Sequence, residues 1–123
     1  MTTIVLKRVY EEPSPSDGFR VLVDKLWPRG MSHERLPYSL WAKDLAPSDE
    51  LREWFHADRI GRWEEFVKRY TAELEQSDAM RKFIEEIADK PKVTLLYASH
   101  DATHNQAEII QAVATKMLKS QSN

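Results

Sequence analysis

The order of apolar runs in this chain predicts one small α/β domain spanning residues 1–123, with a short, mostly parallel sheet packed against about four helices. Two runs carry that expectation. Val21-Leu22-Val23 ends abruptly in Asp24, and Val93 to Ala98 empties into Ser99-His100-Asp101-Ala102-Thr103-His104-Asn105. Short continuous runs, without the alternation of a half-exposed strand, suit strands buried on both faces of a parallel sheet. Between and after them, apolar residues recur at i, i+3, i+4, the spacing of an amphipathic helix. A chain of this length buries roughly two-thirds of its unfolded surface, enough for one core.

Taken in order, Ile4 to Val9 predicts a first strand, with Ile4 and Leu6 on one face and Val5 and Val9 on the other. Glu11 to Gly18 is a loop, because Pro13 and Pro15 deny regular pairing and Gly18 permits a turn. Phe19 to Asp24 is the second strand. The loop is shorter than a usual parallel crossover, so the relative direction of these two strands is left open. Ser48, followed by Asp49 and Glu50, is a helix start with acids where the dipole favours them. Leu51, Trp54 and Phe55 mark its apolar face, and Trp63, Phe66, Val67, Tyr70 and Leu74 that of a longer helix. Met80, Phe83, Ile84, Ile87 and Ala88 give a third, stopped by Pro91. Ala107, Ile110, Val113, Ala114 and Met117 form the inner stripe of a last helix, and Ser120 to Asn123 a frayed tail. Trp63, Phe66, Tyr70, Phe83 and Ile87 are the expected core.

Composition removes several functions. A net charge of −2, with 41% hydrophobic and 31% charged residues, gives no basic field for gripping a phosphate backbone, which disfavours nucleic acid. The chain has no cysteine, hence no disulfide framework, thiolate nucleophile or thiolate-held metal, as suits the cytoplasm. The N-terminal residues lack a secretory signal layout, and no apolar run nears the ~20 residues that span a bilayer. A soluble cytoplasmic protein without a membrane partner is expected. Three glycines leave no room for a phosphate-cradling or dinucleotide loop, no serine stands in a nucleophile elbow, and no cofactor is expected. Nothing in the sequence sets the oligomeric state.

Chemistry concentrates after the two apolar runs. In Asp24-Lys25-Leu26-Trp27-Pro28-Arg29-Gly30, Pro28 fixes one dihedral, Gly30 relaxes the next, and Arg29 reaches the rim. A guanidinium there clamps a carboxylate or phosphate bidentately, as an ammonium does not. The structural alternative has Asp24 capping a turn or pairing with Arg29, and Trp27 packed on the core. His100, Asp101, His104 and Asn105 sit at a strand-to-helix junction, where free N–H groups attract anions and a histidine transfers protons near neutrality. Alternatively, Asp101 or Thr103 simply caps the helix. His100 and His104 lack a third ligand, so no metal is expected. Trp41 lies in irregular sequence and is a candidate pocket wall. Trp54 and Trp63 fit core spacing, whereas His33 and His56 read as isolated surface or capping residues.

Four stretches together, Phe19 to Gly30, Leu40 to Ser48, Leu51 to Phe55, and Leu95 to Ala98 with Asp101 and His104-Asn105, resemble the YeaO-like branch of domain-of-unknown-function family 488. The resemblance covers nearly the whole chain. It implies a compact α/β domain around a parallel-type sheet and brings no established activity. Longer relatives carry an Asp-Val-Arg plus Pro-x-Ser pattern after the second strand and a Cys-His-Arg pattern after the last. Asp24 to Ser32 and His104 to Gln106 correspond to them here, with the cysteine missing.

Two functions follow as expectations. In the first, a small enzyme or ligand binder acts on an anionic metabolite: Arg29 clamps the anion, Asp24 and His104 are the catalytic candidates, and Trp27, Trp41, His100, Asp101 and Asn105 line the ligand site. In the second, a noncatalytic module binds protein or nucleic acid through exposed aromatic and arginine groups near Trp27, Arg29 and Trp41.

Overall fold

The computed structural model describes residues 2–121. Its strands are β1 (Thr3–Arg8), β2 (Phe19–Leu22), β3 (Leu40–Trp41) and β4 (Lys92–Tyr97), and its helices α1 (Asp49–His56), α2 (Trp63–Glu75), α3 (Asp78–Ile87) and α4 (Gln106–Gln121). The strands form one parallel sheet in the order β1-β4-β2-β3. The last strand in sequence thus pairs on both edges, which is why Val93 to Tyr97 is apolar almost throughout and fully buried.

Alternation sorts the strand residues between two cores. Val21, Val93, Leu95 and Tyr97 join one cluster with buried residues of all four helices. Leu22 and Leu96 point the other way and meet Val9, Met31 and Leu36. Among the described residues no α-helix contributes to that second cluster; the long β2–β3 connection supplies Met31 and Leu36 instead.

The direction of β1, open from sequence, is parallel to its neighbour. A connection of residues 9–18, with a 3-10 turn at Pro15–Asp17, suffices because it crosses the face opposite the α-helices and is held there by polar bonds. Thr94, buried in β4, donates its hydroxyl to the Asp17 carbonyl at 2.7 Å. The Asp17 carboxylate accepts the Ser14 N–H at 2.9 Å, Lys7 Nζ at 3.0 Å and Arg20 Nη1 at 2.5 Å. Arg20 Nε donates to the Pro37 carbonyl at 2.7 Å. Gly18 closes the turn at φ +65°, and a Cβ there would stand 2.6 Å from the Lys92 carbonyl oxygen, so both backbone angle and space demand glycine.

Three details differ from expectation. Leu40–Trp41 is a short edge strand, paired as Val21↔Leu40 and Leu22↔Trp41, where irregular chain was read. Asn105, not Asp101 or Thr103, caps α4: its Oδ1 accepts the Glu108 N–H at 3.1 Å, while Asp101 folds the loop before it. Ser48 caps α1 as predicted, accepting the Leu51 N–H at 3.2 Å. Phe66, Tyr70, Phe83 and Ile87 are core residues. Trp63 is only half-buried, because it starts α2 at the rim of the sheet and packs on that core from outside.

Candidate functional site

Because β2 and β4 are adjacent and parallel, their carboxyl ends open at the same edge of the sheet. Ligand sites of open α/β sheets form at such edges. Asp24 ties that edge together. Its Oδ2 accepts the Ala98 N–H at 3.0 Å, and its Oδ1 accepts Gln106 Nε2 at 3.2 Å, a group that also donates to the Val23 carbonyl at 2.9 Å. Trp41 Nε1 donates to the Asp24 carbonyl at 2.8 Å. Burial pushes the Asp24 carboxyl above its usual range, against the lowering pull of the Ala98 N–H. Its bonds join two strand ends to the start of α4, and none of them goes to Arg29. Asp24→Ala should therefore cost about 1–3 kcal/mol in urea denaturation, by leaving the Ala98 and Gln106 donors without acceptors. A loss within 0.5 kcal/mol, the range of an ordinary surface change, would show that this bridge carries no weight.

Beyond Asp24 the chain turns through buried Pro28 and through Gly30 at φ +76°, which leaves Arg29 exposed. The Arg29 carbonyl accepts the Tyr10 hydroxyl at 3.2 Å. Trp27 stacks on His33 at 3.9 Å between ring centroids and donates Nε1 to the Met31 carbonyl at 2.6 Å.

A cleft of about 680 Å³ opens above this edge, with Asp24, Trp27, Arg29 and Asn105 in its walls. α1 and the residues after it supply the facing wall, including Arg52, Phe55, His56 and Arg59. Four cations therefore line the cleft, Lys25, Arg29, Arg52 and Arg59, against two carboxylates. Both carboxylates are engaged. Asp49 accepts from Lys25 Nζ at 2.7 Å and Arg52 Nη2 at 3.4 Å, and Asp24 holds the backbone as above. Arg52 Nε is buried without a partner. Arg59 lies over the Phe55 ring at 5.4 Å, and neither Arg59 nor Arg29 forms an ion pair among the described residues. His56 is held below its ordinary 6.5, first by burial and then by the charges of Arg59 and Arg52.

The remaining candidates lie next door. A second cleft of about 750 Å³ is lined by His100, Asp101, His104, Trp63 and Ile60, and it shares Phe55, Arg59 and Ser99 with the first. There the Asp101 carboxylate accepts the N–H groups of Thr103 and His104, each at 2.9 Å, and these bonds hold its pKa at about 2. His104 sets its ring against Trp63 at 4.9 Å and its Nδ1 3.4 Å from Asp101. His100 Nδ1 sits 3.5 Å from Arg8 Nη2. Asp24 and His104, expected as a catalytic pair, thus line different clefts. Asn105 spends both ends of its amide on the α4 cap and the Asp101 carbonyl. Trp41 lines a third recess, with Lys43 Nζ 4.1 Å over its ring.

Arg52 and Arg59 carry no signal in the sequence reading, and His56, expected as an isolated surface or capping residue, lines the cleft instead. No helical spacing could have paired Arg59 with Arg52, because α1 ends at His56 and Arg59 lies in the turn beyond it. Among the described residues, no group of three or more His, Asp or Glu side chains is placed to hold a metal, and no helix is long and apolar enough to cross a membrane.

The chain is 41% identical over 107 residues to the uncharacterized protein YeaO of Escherichia coli, covering 87% of this chain and 92% of that one. It is 38% identical over 109 residues to uncharacterized proteins of Mycobacterium bovis and Mycobacterium tuberculosis, covering 89% of this chain and 91% of theirs. No solved structure matches it significantly. The model of the inactive DUF488-N3 subclade matches residues 3–123, and the chain belongs to that family.

Proposed function

We propose that the protein is a noncatalytic receptor for a small anionic ligand, which it holds in the cleft above β2 and β4. One observation carries the reading: Arg29 and Arg59, neither ion-paired among the described residues, line one concavity with Arg52, and its two carboxylates are already engaged, Asp49 by Lys25 and Arg52. Guanidinium groups present paired planar donors that suit carboxylate, sulfate or phosphate oxygens. Binding is favoured over catalysis because Asp24 is tied to backbone and helix, His104 lies in the neighbouring cleft, and the family is described as an inactive subclade.

Sulfate, whose charge is constant from mildly acidic to neutral pH, is the first probe. Arg29→Lys should weaken its binding about tenfold although the charge is kept, and leave the melting temperature unchanged, since Arg29 is exposed and unpaired. His56 supplies an independent readout. A bound anion offsets the arginines that depress it, so its pKa rises on binding and the complex takes up a proton. Affinity should therefore increase as pH falls through the bound-state pKa and level off below the free-state one. NMR titration of the His56 ring with and without sulfate measures both. An unmoved His56 together with an indifferent Arg29→Lys variant would end the proposal.

A further inference from the structure

An inorganic anion would fill only a small part of the cleft above β2 and β4. At about 680 Å³ the cleft lies in the range that holds small organic molecules, and the greater part of its lining is apolar. Its unpaired charge is sparse. Lys25 and Arg52 share Asp49, which leaves Arg29 on one wall and Arg59 on the other as the lining cations without an ion pair among the described residues. Each of these two arginines is joined to an aromatic residue of the same cleft. Tyr10, 44% exposed, donates its hydroxyl to the Arg29 carbonyl at 3.2 Å, and the Arg59 guanidinium lies 5.4 Å from the centroid of the Phe55 ring. Half-buried Trp27 adds a third ring to the lining. We propose that the ligand of this cleft is a small aromatic acid, with its carboxylate on Arg29 and its ring against Tyr10 and Trp27.

This inference rests on the anion-binding reading of the cleft and adds the body that bears the anion. A free inorganic anion would use the arginines and leave the apolar lining in water. A ligand rich in hydroxyls would find few partners, because Asn105 spends both ends of its amide and Asp24 both carboxylate oxygens within the protein. A long acidic chain is disfavoured, since the adjoining cleft into which it would run carries the carboxylates of Glu64 and Asp101. A flat ring is favoured over an aliphatic body of the same size by the rings already present, because aromatic pairs gain energy beyond the area they bury.

The test compares binding of naphthoate, benzoate, acetate and sulfate by calorimetry at one pH and ionic strength, so that the three carboxylates differ only in their apolar body. Naphthoate should bind at least about tenfold more tightly than acetate, with benzoate between them. Its affinity should fall about tenfold in Arg29→Lys. Tyr10→Ser should lose about fivefold or more of the naphthoate affinity and none of the sulfate affinity. Tyr10→Phe, which keeps the ring and gives up the bond to the Arg29 carbonyl, should retain both. Sulfate binding through Arg29, with carboxylates showing no preference for a ring, would overturn the inference and leave the anion reading standing. Naphthoate binding indifferent to both Arg29→Lys and Tyr10→Ser would place the acid elsewhere and overturn it as well. Failure of sulfate and of all three carboxylates would overturn both.

Discussion

The Asp17→Ala variant is expected to lose about 3–5 kcal/mol of folding stability, because it strands two cations on the face of the sheet opposite the α-helices. Asp17 and Arg20 are 6% and 7% exposed, and Lys7 shares the same carboxylate. Burial alone would push the Asp17 pKa up. The Ser14 N–H, Lys7 and Arg20 outweigh it and hold the value below 3.8. A depressed carboxylate contributes stability that is fully present above its unfolded pKa and fades as pH falls through the folded one. The wild-type protein should therefore weaken below about pH 4, and Asp17→Ala should lose that acid-side component of its stability profile. Urea denaturation at neutral and acidic pH checks both points. A loss under about 1 kcal/mol at neutral pH would mean that water reaches Lys7 and Arg20 and the crossover is not held by charge.

Phe66→Ala is expected to cost about 3–5 kcal/mol, as for aromatic truncation in a filled core. Phe66 is buried between Phe55, stacked at 4.1 Å, and Tyr70 at 5.5 Å, and Tyr70 donates its hydroxyl to the Leu45 carbonyl. The column thus anchors α2 to α1 and to the chain leading into α1. Trp63→Ala, for which helical spacing alone predicts a full core penalty, should cost only about 1.5–2.5 kcal/mol, because the ring is only partly buried and lines the second cleft. Thermal denaturation of both variants gives the comparison. Equal losses would place Trp63 in the closed core and remove it from the cleft wall.

The contrast between Phe66 and Trp63 shows how much of this protein was legible in its residues. Periodicity reports which side of a helix faces inward but not how far along the helix the core extends, so Trp63 at the first turn read like Phe66 one turn later. The central strand was legible because both its edges and faces are covered, leaving an apolar run. Leu40–Trp41 was not, because a two-residue edge strand carries no alternation. The short β1–β2 crossover left the direction of β1 open, since what permits it is a set of contacts among Lys7, Asp17, Arg20 and Thr94 that are distant in sequence. The loops after β2 and β4 were found from polarity following apolar runs. The opposite wall was missed, because Arg52 and His56 look like any solvated helix face until α1 is packed against the sheet edge.

The strand order has a consequence for how the chain reaches this state. β1 and β2 are not neighbours; each pairs with β4, which places Thr3 opposite Lys92 and Phe19 opposite Val93. While the chain is being synthesised, β1 has no edge to bind until almost the whole sheet-forming sequence has been made. Such non-local closure raises contact order and slows folding, and the waiting strands expose unpaired edges that invite aggregation. A nascent chain interrupted before Lys92 would hold three strands with only the two-residue β2–β3 ladder among them, and the arginine cleft would have no floor.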